Sequence, residues 1–212
     1  MLAAPRAPAP PRSTSRLRSV VSRLVHDYGV RNRQRKARVI IDLARRRGLR
    51  TVLLVGAAVT GNPQDGIVEN ALDAELHVLS ACNIAPLSLP WPSVVGDARA
   101  LPYQTGAVDL VVSNAVIEHV GDEAEQRAFM TEHDRVGRAW VVTTPNRLFP
   151  IEPHTSTVLR HYRKAWRDEQ DDFTRMLSLR EFRQLLPPQA RIIGHWWSPT
   201  LLAVGGAGPR RR

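Results

Sequence analysis

Gly96-Asp97-Ala98-Arg99-Ala100-Leu101-Pro102, followed by Val108-Asp109-Leu110-Val111-Val112-Ser113-Asn114-Ala115-Val116-Ile117-Glu118-His119, is the stretch whose reading decides the fold. A carboxylate follows a short strand, a Leu-Pro turn leads to an apolar strand, and that strand ends on polar residues. Open parallel sheets bind ligands beyond the carboxyl ends of their strands, where short loops present polar groups. The quoted stretch therefore reads as one functional edge of an α/β sheet.

Outward from it, apolar runs alternate with amphipathic segments. Thr51–Val55, bounded by glycines, is the first buried strand. Glu75–Leu79 is the second, Ser93–Val95 the third, Val108–Ser113 the fourth and Ala139–Thr143 the fifth, stopped by Pro145. Val20–Tyr28 and Arg33–Arg47 read as helices, the second with Val39, Ile40, Leu43 and Ala44 on one side and Gly48 as its stop. Pro63–Leu72 is a helix with proline in its first turn. Asp122 caps a helix over Glu123–Val136, and Ser178 caps Leu179–Leu186. Ala190–Trp196 and Thr200–Val204 are joined so briefly that they pair antiparallel. Five strands alternating with helices, then an antiparallel pair, specify a Rossmann-like doubly wound α/β sheet.

The 212 residues fit one domain with a tail, and 43% hydrophobic residues are enough for a core. Residues 1–18, rich in Ala, Pro and Arg, are expected to be disordered; 19–204 form the domain, 146–173 an acceptor-side insertion, and 205–212 a frayed end. No apolar run reaches the roughly 18 residues of a membrane span, so no membrane partner is expected. A single cysteine, Cys82, excludes an intrachain disulfide framework and fits a cytoplasmic setting. The net charge of +10 comes almost wholly from arginine; Lys36 and Lys164 are the only lysines. Without an aromatic stacking platform interleaved among the arginines, nucleic acid is the lesser partner class. Trp196 and Trp197 are expected to cover the sheet. No His, Cys, Asp and Glu spacing matches a metal-ligand pattern, so no metal is expected.

The Gly-Asp-Ala-x-x-Leu-Pro and Asp-Leu-Val-Val-Ser-Asn-x-x-Ile-Glu-His segments, together with Val52–Gly61 and Ala139–Arg147, resemble the class I S-adenosylmethionine-dependent methyltransferases of the methyltransferase type 11 group. The resemblance implies a seven-stranded sheet with the last strand antiparallel, S-adenosylmethionine as cofactor, and methyl transfer from its sulfonium to a nucleophile. By position it implies that Gly56, Ala57 and Gly61 line the methionine and ribose end. Asp97 would accept from the adenine amino group near the Ala98 amide, and Ser113, Asn114 and Ala115 would lie beneath the sulfonium. Glu118 and His119 are the catalytic candidates, with His119 orienting or deprotonating the acceptor. Asn146, Arg147, Glu152 and His154, on a loop stiffened by three prolines, are the acceptor-side candidates.

Two departures stand out. The first loop, Gly56-Ala57-Ala58-Val59-Thr60-Gly61, is poorer in glycine than the family's. The acid that ends the family's second strand and pairs with the ribose hydroxyls is absent from His77–Cys82, with Ala81 the nearest position. Losing a charge-assisted pair costs about 1.5–3 kcal/mol. The expected activity is methyl transfer to a small molecule. A non-catalytic binding protein on the same sheet is the alternative, and a nucleic-acid methyltransferase the third reading.

Overall fold

The structure, a computed structural model, describes residues 13–57, 66–152, 157–159, 162 and 175–206, with backbone alone at 13–22, 151–152 and 157–158. Seven strands form one sheet: β1 (Thr51–Val55), β2 (His77–Asn83), β3 (Ser93–Val95), β4 (Val108–Asn114), β5 (Gly137–Pro145), β8 (Arg191–Ile193) and β9 (Thr200–Gly205). Their spatial order is β3-β2-β1-β4-β5-β9-β8. The strands β1 to β5 run parallel, and β9 runs antiparallel between β5 and β8. Two short strands, β6 (Ile151–Glu152) and β7 (Thr157–Val158), make a separate antiparallel hairpin. The doubly wound, seven-stranded sheet with an antiparallel last strand is the architecture expected from the sequence.

Side-chain alternation divides the core between the two faces. On one face Val52, Leu54, Leu110, Val112, Val141 and Leu202 pack against helices α1 (Ser13–Arg47) and α2 (Ile67–Asp73). On the other, Leu53, Val55, Val111, Trp140, Val142 and Leu201 pack against α3 (Glu123–Val136) and α4 (Leu179–Leu185). Asp122 and Ser178 each complete a capping box, with Glu125 and Glu181 respectively, as the sequence predicts.

Five elements differ from the sequence reading; one is β8, which stops at Ile193 rather than at the expected Trp196, because Gly194, at φ +125°, turns the chain. The two expected amino-terminal helices are one continuous helix, α1, which begins inside the stretch expected to be disordered. Extending a formed helix costs far less than nucleating one, so the segment around Gly29 is carried by the buried carboxyl half. There Ala37, Ile40, Ile41 and Ala44 face the sheet. The helix stops where expected: Gly48, at φ +63°, donates to the Arg45 carbonyl and Leu49 to that of Ala44. The second strand starts later and runs to Asn83, because register against β1 and β3 overrides the weak strand propensity of Ser80 and Ala81. At the end of the chain, Gly205 is not frayed but buried as the last residue of β9. The short α2 starts after Gly66, at φ +74°; Pro63 lies outside the described residues.

Candidate functional site

The carboxyl ends of β1, β2, β3 and β4 converge on one cavity of about 230 Å³. At the tip of β1, Gly56 turns at φ +71°, and its amide donates to the Cys82 carbonyl at 2.9 Å. A Cβ at Gly56 would lie 2.5 Å from a Val116 methyl, so backbone and β4 loop approach only over glycine. Beside it β2 ends in Asn83, which is 9% exposed and whose Nδ2 has no hydrogen-bond partner. The Asn83 carbonyl accepts from Gly96, which ties β2 to the Gly96-Asp97 turn. The cavity wall includes Asn83, Ile84, Leu87, Val116 and Val120, with Asp97, Ala98 and Arg99 at its side. Burial, aided by the Asp97 charge, pushes the Cys82 thiol in this wall up to about 11, so it stays protonated.

The acid missing from the second strand was expected near Ala81. Ala81 is wholly buried on the α1 face and cannot serve the cavity. The strand runs two residues further, and the tip position belongs to Asn83. The strand therefore ends on an amide, with no carboxylate among His77–Asn83.

Asp97 does two jobs within the protein. Its Oδ1 accepts from the Arg99 backbone amide at 2.8 Å, closing an Asx turn, and its carboxylate pairs with the Arg99 guanidinium through Nε at 3.0 Å and Nη2 at 2.6 Å. Hydrogen bonding to Arg99 holds the Asp97 carboxyl below its ordinary value. Arg99 also contacts Glu125. The carboxylate at the cavity side is therefore ionised and fixed in direction.

At the tips of β4 and β5 a second polar cluster lies on the α1 face. Asn114 Oδ1 accepts from Lys36 Nζ at 2.6 Å and from Thr143 Oγ1 at 2.9 Å, and Asn114 Nδ2 donates to Glu69 at 3.1 Å. The Lys36 stem remains partly accessible, but its ammonium is enclosed. Desolvation, then Arg33, push its pKa down to about 8, while Glu69 and Glu118 pull the other way. Ser113 alternates to the opposite face, wholly buried, with an Oγ that has no partner. Ala115 is held at φ +59°, a conformation that stores strain in a residue with a Cβ.

The catalytic candidates diverge. Glu118 is wholly buried and accepts from Thr144 Oγ1 at 3.1 Å. The next residue in the same short 3-10 turn, His119, is exposed. On the acceptor side, Asn146 spends its amide internally: Nδ2 donates to the carbonyls of Trp196 and Ser198, and Oδ1 accepts from Leu148. Arg147 is bidentate to Glu181 at 3.0 Å. Glu152 is placed by its backbone in β6, whereas Gly61 and His154 lie outside the described residues.

Residues 66–139, which contain the cavity wall from Asn83 to Val120, match the methyltransferase domain family. Magnesium protoporphyrin IX methyltransferase of Synechocystis, solved with bound SAH, superposes with a TM-score of 0.53 at 11% identity, covering 84% of each chain. The YcgJ protein of Bacillus subtilis superposes with a TM-score of 0.51 at 15% identity, over 74% of this chain and 71% of that one. A chain of the Haloferax volcanii complex containing the Trm112 methyltransferase activator gives 0.52 at 15% identity, over 76% and 83%. The chain has the class I methyltransferase fold. No curated protein matches it in sequence.

Within this methyltransferase fold the sequence reading located Gly56, Asp97 and Ala98 on the cavity but missed Asn83 and Lys36. The signal for Asn83 was the parallel register, which sets Val55 beside Cys82 and so Gly56 beside Asn83. Lys36 is 78 positions from Asn114 and carried no local signal. Trp196 and Trp197, expected to cover the sheet, are instead 63% and 49% exposed in the turn between β8 and β9.

Proposed function

We propose that this chain transfers a methyl group from S-adenosylmethionine to a small-molecule nucleophile. The observation that carries the reading is the cavity at four strand tips, with glycine approach at Gly56, a directed carboxylate at Asp97 and an unpartnered amide at Asn83. The residues fit the cofactor's adenosine half. Asp97 accepts from the adenine amino group beside the Ala98 amide. Asn83, at the tip of β2 on the cavity wall, accepts from a ribose hydroxyl. Gly56 leaves room for the ribose and methionine end, to which Ala57 and Gly61 are assigned by position, as Ser113, Asn114 and Ala115 are assigned beneath the sulfonium.

The cofactor supplies an electrophilic methyl carbon, so the protein's task is to align the acceptor behind it. His119, exposed beyond the strand tip, is the group that orients or deprotonates a protonated acceptor, and buried Glu118 fixes the turn that carries it. Arg147, Glu152 and His154 are assigned to the acceptor side by position, with Arg147 held on Glu181, and Asn146 ties the start of that segment to the β8–β9 turn. A cytoplasmic setting belongs to the same reading.

Calorimetric titration of the full chain with S-adenosylmethionine and its demethylated product tests this. Saturable binding of both is expected. Binding is lost in Gly56→Val, whose added side chain collides with Val116, and tightened roughly tenfold in Asn83→Asp, where a carboxylate can accept from both hydroxyls. No saturation at millimolar cofactor overturns the proposal. Binding without label transfer to any component of a metabolite extract selects the non-catalytic reading. That alternative rests on the missing ribose carboxylate.

A further inference from the structure

The turn between β8 and β9 brings together aromatic residues far apart in the sequence. Trp196 and Trp197 lie with ring centroids 5.3 Å apart. Trp197 meets Phe149 edge-on at 6.0 Å, and Phe149 stacks on Tyr28 of α1 at 6.0 Å. Leu24 (63% exposed), Leu148 (43%) and Ile193 (45%) extend the apolar surface. Leu24, Tyr28, Arg31 and Arg35 follow at helical spacing, and all four are exposed, so one face of α1 continues the patch into basic ground. Over residues 23–35 the helix carries four arginines against one carboxylate, Asp27.

An exposed cluster of Trp, Tyr and Leu bordered by arginines has two natural occupants: stacked bases, or the boundary between lipid headgroups and acyl chains. The ring contacts decide between them. The facing sides of Tyr28 and Phe149 are occupied by each other and Trp197 is edge-on to Phe149, so this is no row of free ring faces for successive bases. Interspersed leucine and isoleucine suit lipid. Tryptophan and tyrosine settle at the headgroup level, and arginine is attracted to anionic lipid. No described helix is long and apolar enough to cross a membrane, so the contact is peripheral.

We propose, against the sequence-based expectation of no membrane partner, that this face docks on an anionic lipid surface, with Trp196, Trp197 and Leu24 entering the headgroup layer and Arg31 and Arg35 against the lipid charge. The patch borders the carboxyl end of β5, whose Thr143 reaches Asn114 of the second polar cluster. An acceptor dissolved in the lipid would reach the site from this side; that last clause alone rests on the methyl-transfer reading.

The test is co-sedimentation of the full chain with vesicles of phosphatidylcholine alone or mixed with phosphatidylglycerol. Binding is expected only to the mixed vesicles and falls with added salt. Arg31→Gln with Arg35→Gln weakens it roughly thirtyfold, and Trp196→Ser with Trp197→Ser roughly tenfold. Each variant retains the wild-type circular dichroism spectrum and melt. Four results would overturn the proposal: no binding to mixed vesicles, equal binding to both kinds, indifference to both double substitutions in folded protein, or tighter binding of single-stranded RNA. A self-associated dimer that shields the tryptophans overturns it as well. Cofactor calorimetry on the same samples reads the methyl-transfer proposal separately, because the tryptophans and arginines replaced lie outside the donor cavity.

Discussion

His133 lies wholly inside α3, its Nδ1 hydrogen-bonded to the Phe129 carbonyl at 2.8 Å and its ring 4.0 Å from that of Phe129. No partner reaches Nε2. Burial pushes its pKa down to about 4, against contributions from the Phe129 carbonyl and Glu132 that raise it. The folded protein therefore keeps this ring neutral where the unfolded chain protonates it. Above pH ~6.5 both states are neutral and stability does not depend on this group. As pH falls from there to about 4 the unfolded chain gains a proton that the fold refuses, so stability falls, by a total on the order of 3 kcal/mol. Urea unfolding at pH 7 and pH 5 should show the loss in the wild type and a smaller loss in His133→Phe, which cannot titrate. Equal slopes in the two proteins would mean that the ring is hydrated and charged in the fold.

At the scale of elements, β9 fits beside β5 only because of one residue. Gly205 lies opposite Trp140, and a Cβ there would come within 2.1 Å of the indole. Trp140 is wholly buried and anchored by Nε1 to Asp134 at 2.7 Å, so it cannot swing aside. Gly205→Ala should therefore destabilise the fold by about 1–3 kcal/mol. Adding Trp140→Phe, which removes the colliding ring atoms, should restore part of the loss in a double-mutant cycle. Additive losses would show that the strand edge yields instead. This close packing was invisible in a sequence that merely showed glycine before an arginine tail. The strands β1, β4 and β5 were legible because buried parallel strands are continuous apolar runs, and the caps Asp122 and Ser178 because their chemistry is local. Helix α1 was not, since Gly29 and Asn32 argue locally for a break that tertiary contacts close. Asn32 donates to Thr200 across the sheet edge. The same division holds in the site: Asp97 belongs to a local motif, while Lys36 meets Asn114 only through the path of α1.

That path gives the whole molecule its functional direction. Tyr28, Asn32 and Lys36, one helical turn apart in succession, reach Phe149, Thr200 and Asn114, so one stripe of α1 crosses the carboxyl edge from β9 to β4. A chain of net charge +10 thus lays a cationic helix beside the place proposed for a cationic donor. At neutral pH the enclosed Lys36 ammonium offsets the negative charge of Glu69 and Glu118. As pH rises through about 8 it loses its proton, and those carboxylates become available to a sulfonium. The uncharged sulfide of the demethylated product gains nothing from that change, while the amino acid end common to both ligands cancels in their ratio. The ratio of S-adenosylmethionine to product affinity should therefore rise roughly tenfold between about pH 7 and 9. In Lys36→Met it should be flat and already at its high value. Calorimetry of both ligands across this range reads the ratio directly. A ratio that stays flat in the wild type would separate Lys36 from the sulfonium, even where both ligands bind.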